Sequence, residues 1–331
     1  MKKIISISLI LCLGMLLFTS CERGEKVVED FPSVVTKIES YKVTGKLQSM
    51  FPSGTKECLV TVYFKKPNYY RVEVDNAVLN EKQIVIKNDD GVEILVPSVN
   101  KSFKVKSSWP LNSSYPYLFQ SLSKDIVSDE GKTKEKDENF TTLNLKTKMF
   151  ETATPTDEKI VFNNKTGYPE EVYVYDESHN LVSKFIYEKI EINIDIDNDL
   201  FDSVKTLESL NEYYQDIVET FVRAITYPTY YPVDASLSEE VIKGSTIKMA
   251  IMKFDGTSPF TIIEEFLVNS TTPVTSYLDG DIYVMGGNIS VITENTIFFY
   301  EQGVEYTIAS NTLSVIEMIK TGDSLLLGNE K

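Results

Sequence analysis

Ile84-Val-Ile-Lys-Asn-Asp-Asp-Gly-Val-Glu-Ile-Leu-Val96 sets two apolar runs on either side of Asn88-Asp-Asp-Gly91. Asp-Gly between apolar runs is a hairpin signal, because both residues accept the backbone angles of a tight turn. The pattern continues outward on both sides. Upstream, Tyr70, Val72 and Val74 alternate with Arg71, Glu73 and Asp75, and Tyr41, Val43 and Leu47 alternate with Lys42, Thr44 and Lys46. Downstream, Phe103 and Val105 alternate with Lys104 and Lys106. A period of two with one apolar and one wet face predicts half-buried antiparallel strands.

Helical spacing brackets and interrupts this run. Val27, Val28, Phe31, Val34, Val35 and Ile38 recur at steps of three and four, which predicts a helix over 27–40, its start delayed to about Phe31 by Pro32. Tyr115 to Val127 carries Leu118, Leu122 and Ile126 at the same spacing, followed by a polar loop at Ser128–Glu138. Strands are predicted again at Thr142–Met149, Lys159–Phe162 and Glu171–Tyr175. After a turn at Asp176–Asn180 comes a long strand ending in Ile190, Ile192, Ile194 and Ile196. Leu207 to Ile225 is a further helix, and Tyr227–Pro232 is extended by its prolines. Short strands at Thr246–Phe254, Thr261–Phe266, Asp281–Val284, Asn288–Ile292, Thr296–Tyr300 and Val304–Ala309 precede a helix at Leu313–Lys320. The fold class is mainly β (α+β). A curved antiparallel sheet or unclosed β-barrel with covering helices occupies 31–203, and a linker helix with a small α+β domain occupies 204–331.

The first 30 residues read differently. Lys2 and Lys3 precede an apolar run from Ile4 to Phe18. That run is too short to span a bilayer, which takes roughly 20 residues, but fits the core of a secretory signal over 1–20. It ends in Phe18-Thr19-Ser20-Cys21, which resembles the bacterial lipobox, with Phe18 where leucine is usual. Lipidation of Cys21 by a diacylglyceryl group with acyl chains such as palmitate is expected. A signal cut without lipidation and an uncleaved anchor helix are the alternatives, and both leave Cys21 unexplained. Two or more acyl chains hold a protein on a membrane where one does so only marginally. Residues 21–30 then form a lipidated, charged tether, and the membrane is a partner through the lipid on Cys21.

The 331-residue chain carries a formal charge of −16. Losing Lys2 and Lys3 from its 33 basic residues leaves 31 against 49 acidic ones, or −18. This balance argues against nucleic acid as a partner, which calls for basic patches. Once Cys12 leaves with the signal and Cys21 is lipidated, Cys58 stands alone, a small strand residue without a disulfide mate. His179 is the one histidine and falls in a turn, so a Ser-His-Asp or Cys-His site has little to draw on, and zinc lacks ligands. Asp195-Ile-Asp-Asn-Asp199 matches only the start of an EF-hand loop, with Leu200 where glycine is needed and Thr206 where the bidentate glutamate is needed. It reads as a strand with a wet acidic face. No paired carboxylates are marked out for glycoside hydrolysis. No catalytic residue, metal or cofactor is assigned.

Two runs, Ile38-Glu-Ser-Tyr-Lys-Val-Thr-Gly-Lys-Leu47 and Phe64-Lys-Lys-Pro-Asn-Tyr-Tyr-Arg-Val-Glu-Val74, resemble the LolA/LolB/RseB-like superfamily. Its YdcC-like branch of lipidated, sporulation-type bacterial proteins is the nearest. Asn88–Gly91, Pro97, Asn100–Phe103, Trp109-Pro110, Gly167-Tyr-Pro169 and Asp197–Phe201 follow in the order the resemblance implies, over roughly 30–202. Glu301–Tyr306 and Ser314–Lys320 resemble a C-terminal DUF4367-like unit. The resemblance implies a concave apolar face, lidded by helices, that holds acyl chains or a peptide, and it does not imply catalysis.

The leading functional reading is a lipid-anchored, extracytoplasmic, non-catalytic binding or regulatory lipoprotein. Its partner is a protein or an apolar, acyl-type ligand, in sporulation, germination or envelope maintenance. A lipid or lipoprotein carrier or acceptor is the alternative, and an envelope hydrolase the third. The expected binding face is the concave side of the half-barrel under the 115–127 helix, with Leu118, Leu122 and Ile126 lining it. The competing reading makes those three plain core. The lipobox reading is checked by feeding cells an alkyne-tagged fatty acid: the wild-type chain should take the label and Cys21→Ala should not, whereas equal label in both excludes Cys21 as the anchor.

Overall fold

The structure, a computed structural model, describes residues 30–51, 54–111, 113–149, 156–215, 224–244, 248–267 and 272–326. The signal segment and Cys21 lie outside the described residues. A short helix α1 (Phe31–Lys37), with Pro32 in its first turn, leads into six strands: β1 (Ser40–Phe51), β2 (Gly54–Lys65), β3 (Tyr69–Asn76), β4 (Glu81–Asn88), β5 (Gly91–Val96) and β6 (Lys101–Lys106). Helix α2 (Phe119–Ser128) separates these from β7 (Thr133–Lys136), β8 (Phe140–Thr147), β9 (Thr156–Asn163), β10 (Pro169–Tyr175) and β11 (Leu181–Ile192). Both groups are antiparallel meanders, and they join where β1 pairs with β11. The result is a large, curved, unclosed sheet in the order β6-β5-β4-β3-β2-β1-β11-β10-β9-β8-β7.

Alternation sets the faces. Tyr41, Val43 and Leu47 pair across β1–β2 with Phe64, Val62 and Cys58, and all six are buried on the inner face. Val72 and Val74, Ile160 and Phe162, Val172 and Phe185 continue that surface around the curve. The run Ile84-Val-Ile86 is continuous because β4 is covered on both sides. Val85 joins the inner core, while Ile84, Ile86 and Leu95 pack outward against Ile196, Phe201 and Leu207. Ile196 lies just before a 3-10 turn (Asn198–Phe201) that carries Phe201, and Leu207 comes from helix α3 (Ser203–Gln215). Arg71 pins them by donating to the Leu200 carbonyl at 2.9 Å and to Thr206 Oγ1 at 2.7 Å.

The second half forms β12 (Ser236–Lys243), β13 (Met249–Asp255), β14 (Phe260–Phe266), β15 (Val274–Asp279), β16 (Asp281–Met285), β17 (Asn288–Ile292), β18 (Thr296–Glu301), β19 (Val304–Ala309) and helix α4 (Val315–Leu326). Seven of these strands make a second sheet, β12-β13-β14-β19-β18-β17-β16. β15 leaves it and extends the large sheet beside β6, in parallel. Strands β16–β18 are buried on both faces. Ile282, Val284, Val291 and Tyr300 enter the core of the large sheet, and Met285, Ile292, Ile297 and Phe299 face α4.

Three expectations need correction. The strand through Ile190 and Ile192 stops at Ile192, because Asn193 adopts a left-handed backbone (φ 53°) and turns the chain. Ile196 thereby reaches the outer face, and Asp195–Asp199 leads into the 3-10 turn instead of forming a wet strand; Asp197 caps that turn by accepting from the Asp199 N–H. Helix α2 begins at Phe119, not Tyr115: Pro116 disfavours helical backbone at Tyr115, and Leu118, the N-cap, is itself extended (φ −110°, ψ 121°). The polar stretch Ser128–Glu138 contains the exposed strand β7.

Gly45 marks the shift in register between β1 and β11. A methyl group there would overlap the Ile186 carbonyl oxygen and lie 2.5 Å from Phe185 Cζ. Gly45→Ala is expected to lower stability by about 1–3 kcal/mol, read as a fall in the urea midpoint. A midpoint equal to wild type would show that the ladder has slack at this position.

Candidate binding site

A chain leaving β6 at one end of the sheet must cross the mouth of the curve to begin β7 at the other. The crossing segment fills the interior as it passes. Trp109, Tyr115, Tyr117, Leu118 and Phe119 are all buried. Phe119 sits at the centre, with ring centroids 4.8 Å from Tyr41, 5.6 Å from Phe31 of α1, 5.8 Å from Tyr168 and 6.0 Å from Tyr187. The contacts continue from Tyr41 through Phe64, Tyr70, Trp109, Tyr115, Tyr117 and Phe185 to Tyr187, and so close a ring of aromatic side chains. Three of the tyrosine hydroxyls are used: Tyr41 donates to Gln120 Oε1 at 2.8 Å, Tyr187 to the Pro116 carbonyl at 2.8 Å and Tyr115 to the Ile282 carbonyl at 3.0 Å.

Leu118, Leu122 and Ile126 are brought together on the inner face of this crossing, at 0, 0 and 4 % exposure. In this structure they fill the space under the helix. Leu118 is the N-cap residue of α2 and not part of the helix itself.

The same helix also carries polar groups inward. Asp125 accepts from Ser114 Oγ and, at 3.0 Å, from Thr147 Oγ1. Ser121 Oγ accepts from the Tyr115 N–H at 2.7 Å. Burial raises the Asp125 carboxyl above its ordinary value. Glu158, on β9 under the helix, is fully buried, and burial together with Asp125 pushes its carboxyl well above the carboxylate range. Sequence reasoning passed over both acids, although Asp125 lies three residues beyond Leu122 and therefore on the apolar stripe.

Cys58 and His179 lie in different surroundings. Cys58 is buried, and its thiol is pushed up to about 12 by burial and by Glu57 and Asp75. His179 is exposed in its turn, with Nδ1 2.6 Å from Asp157 Oδ2. Among the described residues no three His, Cys, Asp or Glu side chains gather as for a metal, and no helix is long and apolar enough to cross a membrane. On the outer face, Tyr69 and Phe201 flank a cleft of about 490 Å³ bordered by Asp89, Asp90, Asp199 and Asp202.

The family described as sporulation protein YdcC-like matches residues 1–201. The chain belongs to this family. It is 29 % identical over 330 residues to the sporulation protein YdcC of Bacillus subtilis (strain 168), covering 95 % of this chain and 94 % of that one. Solved structures similar to it include MucB in complex with MucA(peri), at 11 % identity and TM-score 0.30, covering 91 % of this chain and 96 % of that one. A LolA superfamily protein of Nitrosomonas europaea gives 12 % identity and TM-score 0.32, covering 55 % of this chain and 98 % of that one.

Away from the lid, this YdcC-like chain joins its two sheets through polar contacts. Gln83 on β4 donates to the Tyr300 carbonyl at 2.9 Å and accepts from the Ile289 N–H at 2.8 Å. Lys56 pairs with Asp323 of α4 at 2.7 Å, and Lys101 pairs with Glu305. Glu301 accepts from Asn288 Nδ2 at 3.2 Å, and burial raises its carboxyl from 4.5 to about 8 against the opposing pull of Asn288 and Lys56. The folded state therefore holds a proton that the unfolded state releases. That contribution is complete below pH 4.5 and is lost as pH rises through about 8. Unfolding free energy should accordingly fall by on the order of a few kcal/mol at most between pH 5 and pH 9, read in urea melts, and Glu301→Gln, which stays neutral, should flatten that slope. An unchanged slope in the variant would place the titration elsewhere.

Proposed function

We propose that the mature protein is a non-catalytic, lipid-anchored binding or regulatory lipoprotein on the extracytoplasmic face of the cell membrane, and that it acts on a protein partner in sporulation, germination or envelope maintenance. The anchor rests on the signal-like run and Cys21. The partner class rests on one observation: the inner face is occupied by the protein's own aromatic and aliphatic side chains, from Phe31 and Phe119 to Leu122 and Ile126. A face filled in this way favours binding through the outer surface, which is acidic overall and includes the aspartate-bordered cleft beside Tyr69. A partner offering lysine or arginine side chains suits that chemistry.

A second reading, a carrier or acceptor of lipid or lipoprotein, is favoured by the polar seam beneath α2. A helix held partly by buried acids separates from its sheet more readily than one held by apolar packing alone. In that case α2 lifts, and Leu118, Leu122 and Ile126 become the lining of an acyl site. Leu118→Ala, Leu122→Ala and Ile126→Ala separate the two. Under the partner reading each costs about 2–5 kcal/mol in urea melts, with partner captured per folded molecule unchanged and no lipid retained in native mass spectrometry. Smaller losses, accompanied by a co-purifying lipid that the substitutions remove, would reverse the ranking.

A further inference from the structure

Under the last turn of α2 the interior holds more oxygen than it has hydrogen to share. Asp125 already accepts from Ser114 and Thr147. Thr156 stands opposite Thr147 in the β8–β9 ladder, so the two side chains share a face. Glu158, two residues along, points the same way. Thr156 and Glu158 are both more than nine-tenths buried, and neither the Thr156 hydroxyl nor either oxygen of Glu158 has a hydrogen-bond partner. The last turn of α2 contains no basic residue, and its carbonyl end adds partial negative charge. A buried acid with nothing bound to it is among the costliest arrangements a fold can hold. Here two acids act on one another under the same helix end.

We propose that this seam binds a calcium ion, held between Glu158 and Asp125 and completed by the hydroxyls of Thr147 and Thr156 and by water. The donors are all hard oxygens, without the nitrogen or sulfur that zinc prefers. Calcium accepts irregular shells of roughly six to eight oxygens built from carboxylates, neutral oxygens and water. Two carboxylates balance its two charges, whereas a single proton on Glu158 would balance only one. The ion would tie α2 to β8 and β9 whatever the protein binds elsewhere.

The test uses the full-length protein in detergent, stripped with EDTA and dialysed against calcium-45. About one calcium per chain is expected, together with a melting temperature several degrees higher in calcium than in EDTA. Glu158→Gln should melt no lower than wild type in EDTA, since a neutral amide replaces an uncompensated acid, and should lose the calcium shift. Thr156→Val keeps the shape and removes one oxygen; it should stay folded and take up calcium at least about threefold more weakly, which keeps the test decisive if the first variant fails to fold. No calcium uptake by the wild type, or a calcium shift that survives in full in Glu158→Gln, overturns the site and leaves a protonated carboxyl in its place.

Discussion

The contact between Phe119 and the inner face of the large sheet is the one on which the rest of the structure depends. An unclosed sheet this curved presents a broad apolar surface on its inside, and that surface must be removed from water by something other than the sheet. The chain supplies the cover from its own connection, because the two meanders begin and end at opposite edges. Phe119 is the point at which the crossing segment, α1 through Phe31, strand β1 through Tyr41 and the β9–β11 side through Tyr168 and Tyr187 all meet. Aromatic side chains suit this place: each covers a large area with few rotatable bonds, and edge-on contacts add about 0.5–1.5 kcal/mol beyond burial. The far side of the inner face is closed by β16–β18, which is why those strands are apolar on both sides.

Closing the interior in this way traps polar groups, and the chain treats them unequally. At the junction between the sheets, Gln83, Asn288 and the Lys56–Asp323 and Lys101–Glu305 pairs satisfy one another. Glu264 accepts twice from the Thr226 N–H even though burial raises its carboxyl to about 8. Under α2 the balance is different, since Glu158 is left without a donor. The junction is therefore specified by matched hydrogen bonds, while the helix over the inner face rests on aromatic packing at one end and on acids at the other.

How much of this was legible follows from which faces were buried. Strands with one wet and one dry face announced themselves by period, and β4, β17 and β18 by apolar runs that reflect burial on both sides. The strands that went unread are β7, β12 and β15. All three are edge strands, and their side chains are mostly exposed on both faces. Without a dry face there is no alternation to detect. Lys132, Lys134 and Lys136 around β7 instead carry the charge with which proteins protect exposed edges. The overrun past Ile192 has the opposite cause: the isoleucine alternation continues through Ile194 and Ile196, but Asn193 redirects it to a second core on the outer face. Periodicity reports that a residue is buried without saying against what.

The same limit governs the candidate site. Leu118, Leu122 and Ile126 share a stripe, and the stripe shows that this segment covers something apolar; it does not show whether space remains underneath. That depends on partners far away in sequence, such as Phe31, Phe162 and Phe185, whose approach no local pattern encodes. The acids lie closer to the readable side. Asp125 breaks an otherwise apolar helix face, and Glu158 stands between Thr156 and Ile160 on the dry side of its strand. An acid on the dry face of an amphipathic element goes against the pattern that builds the fold, and such breaks in pattern are where binding chemistry is best sought.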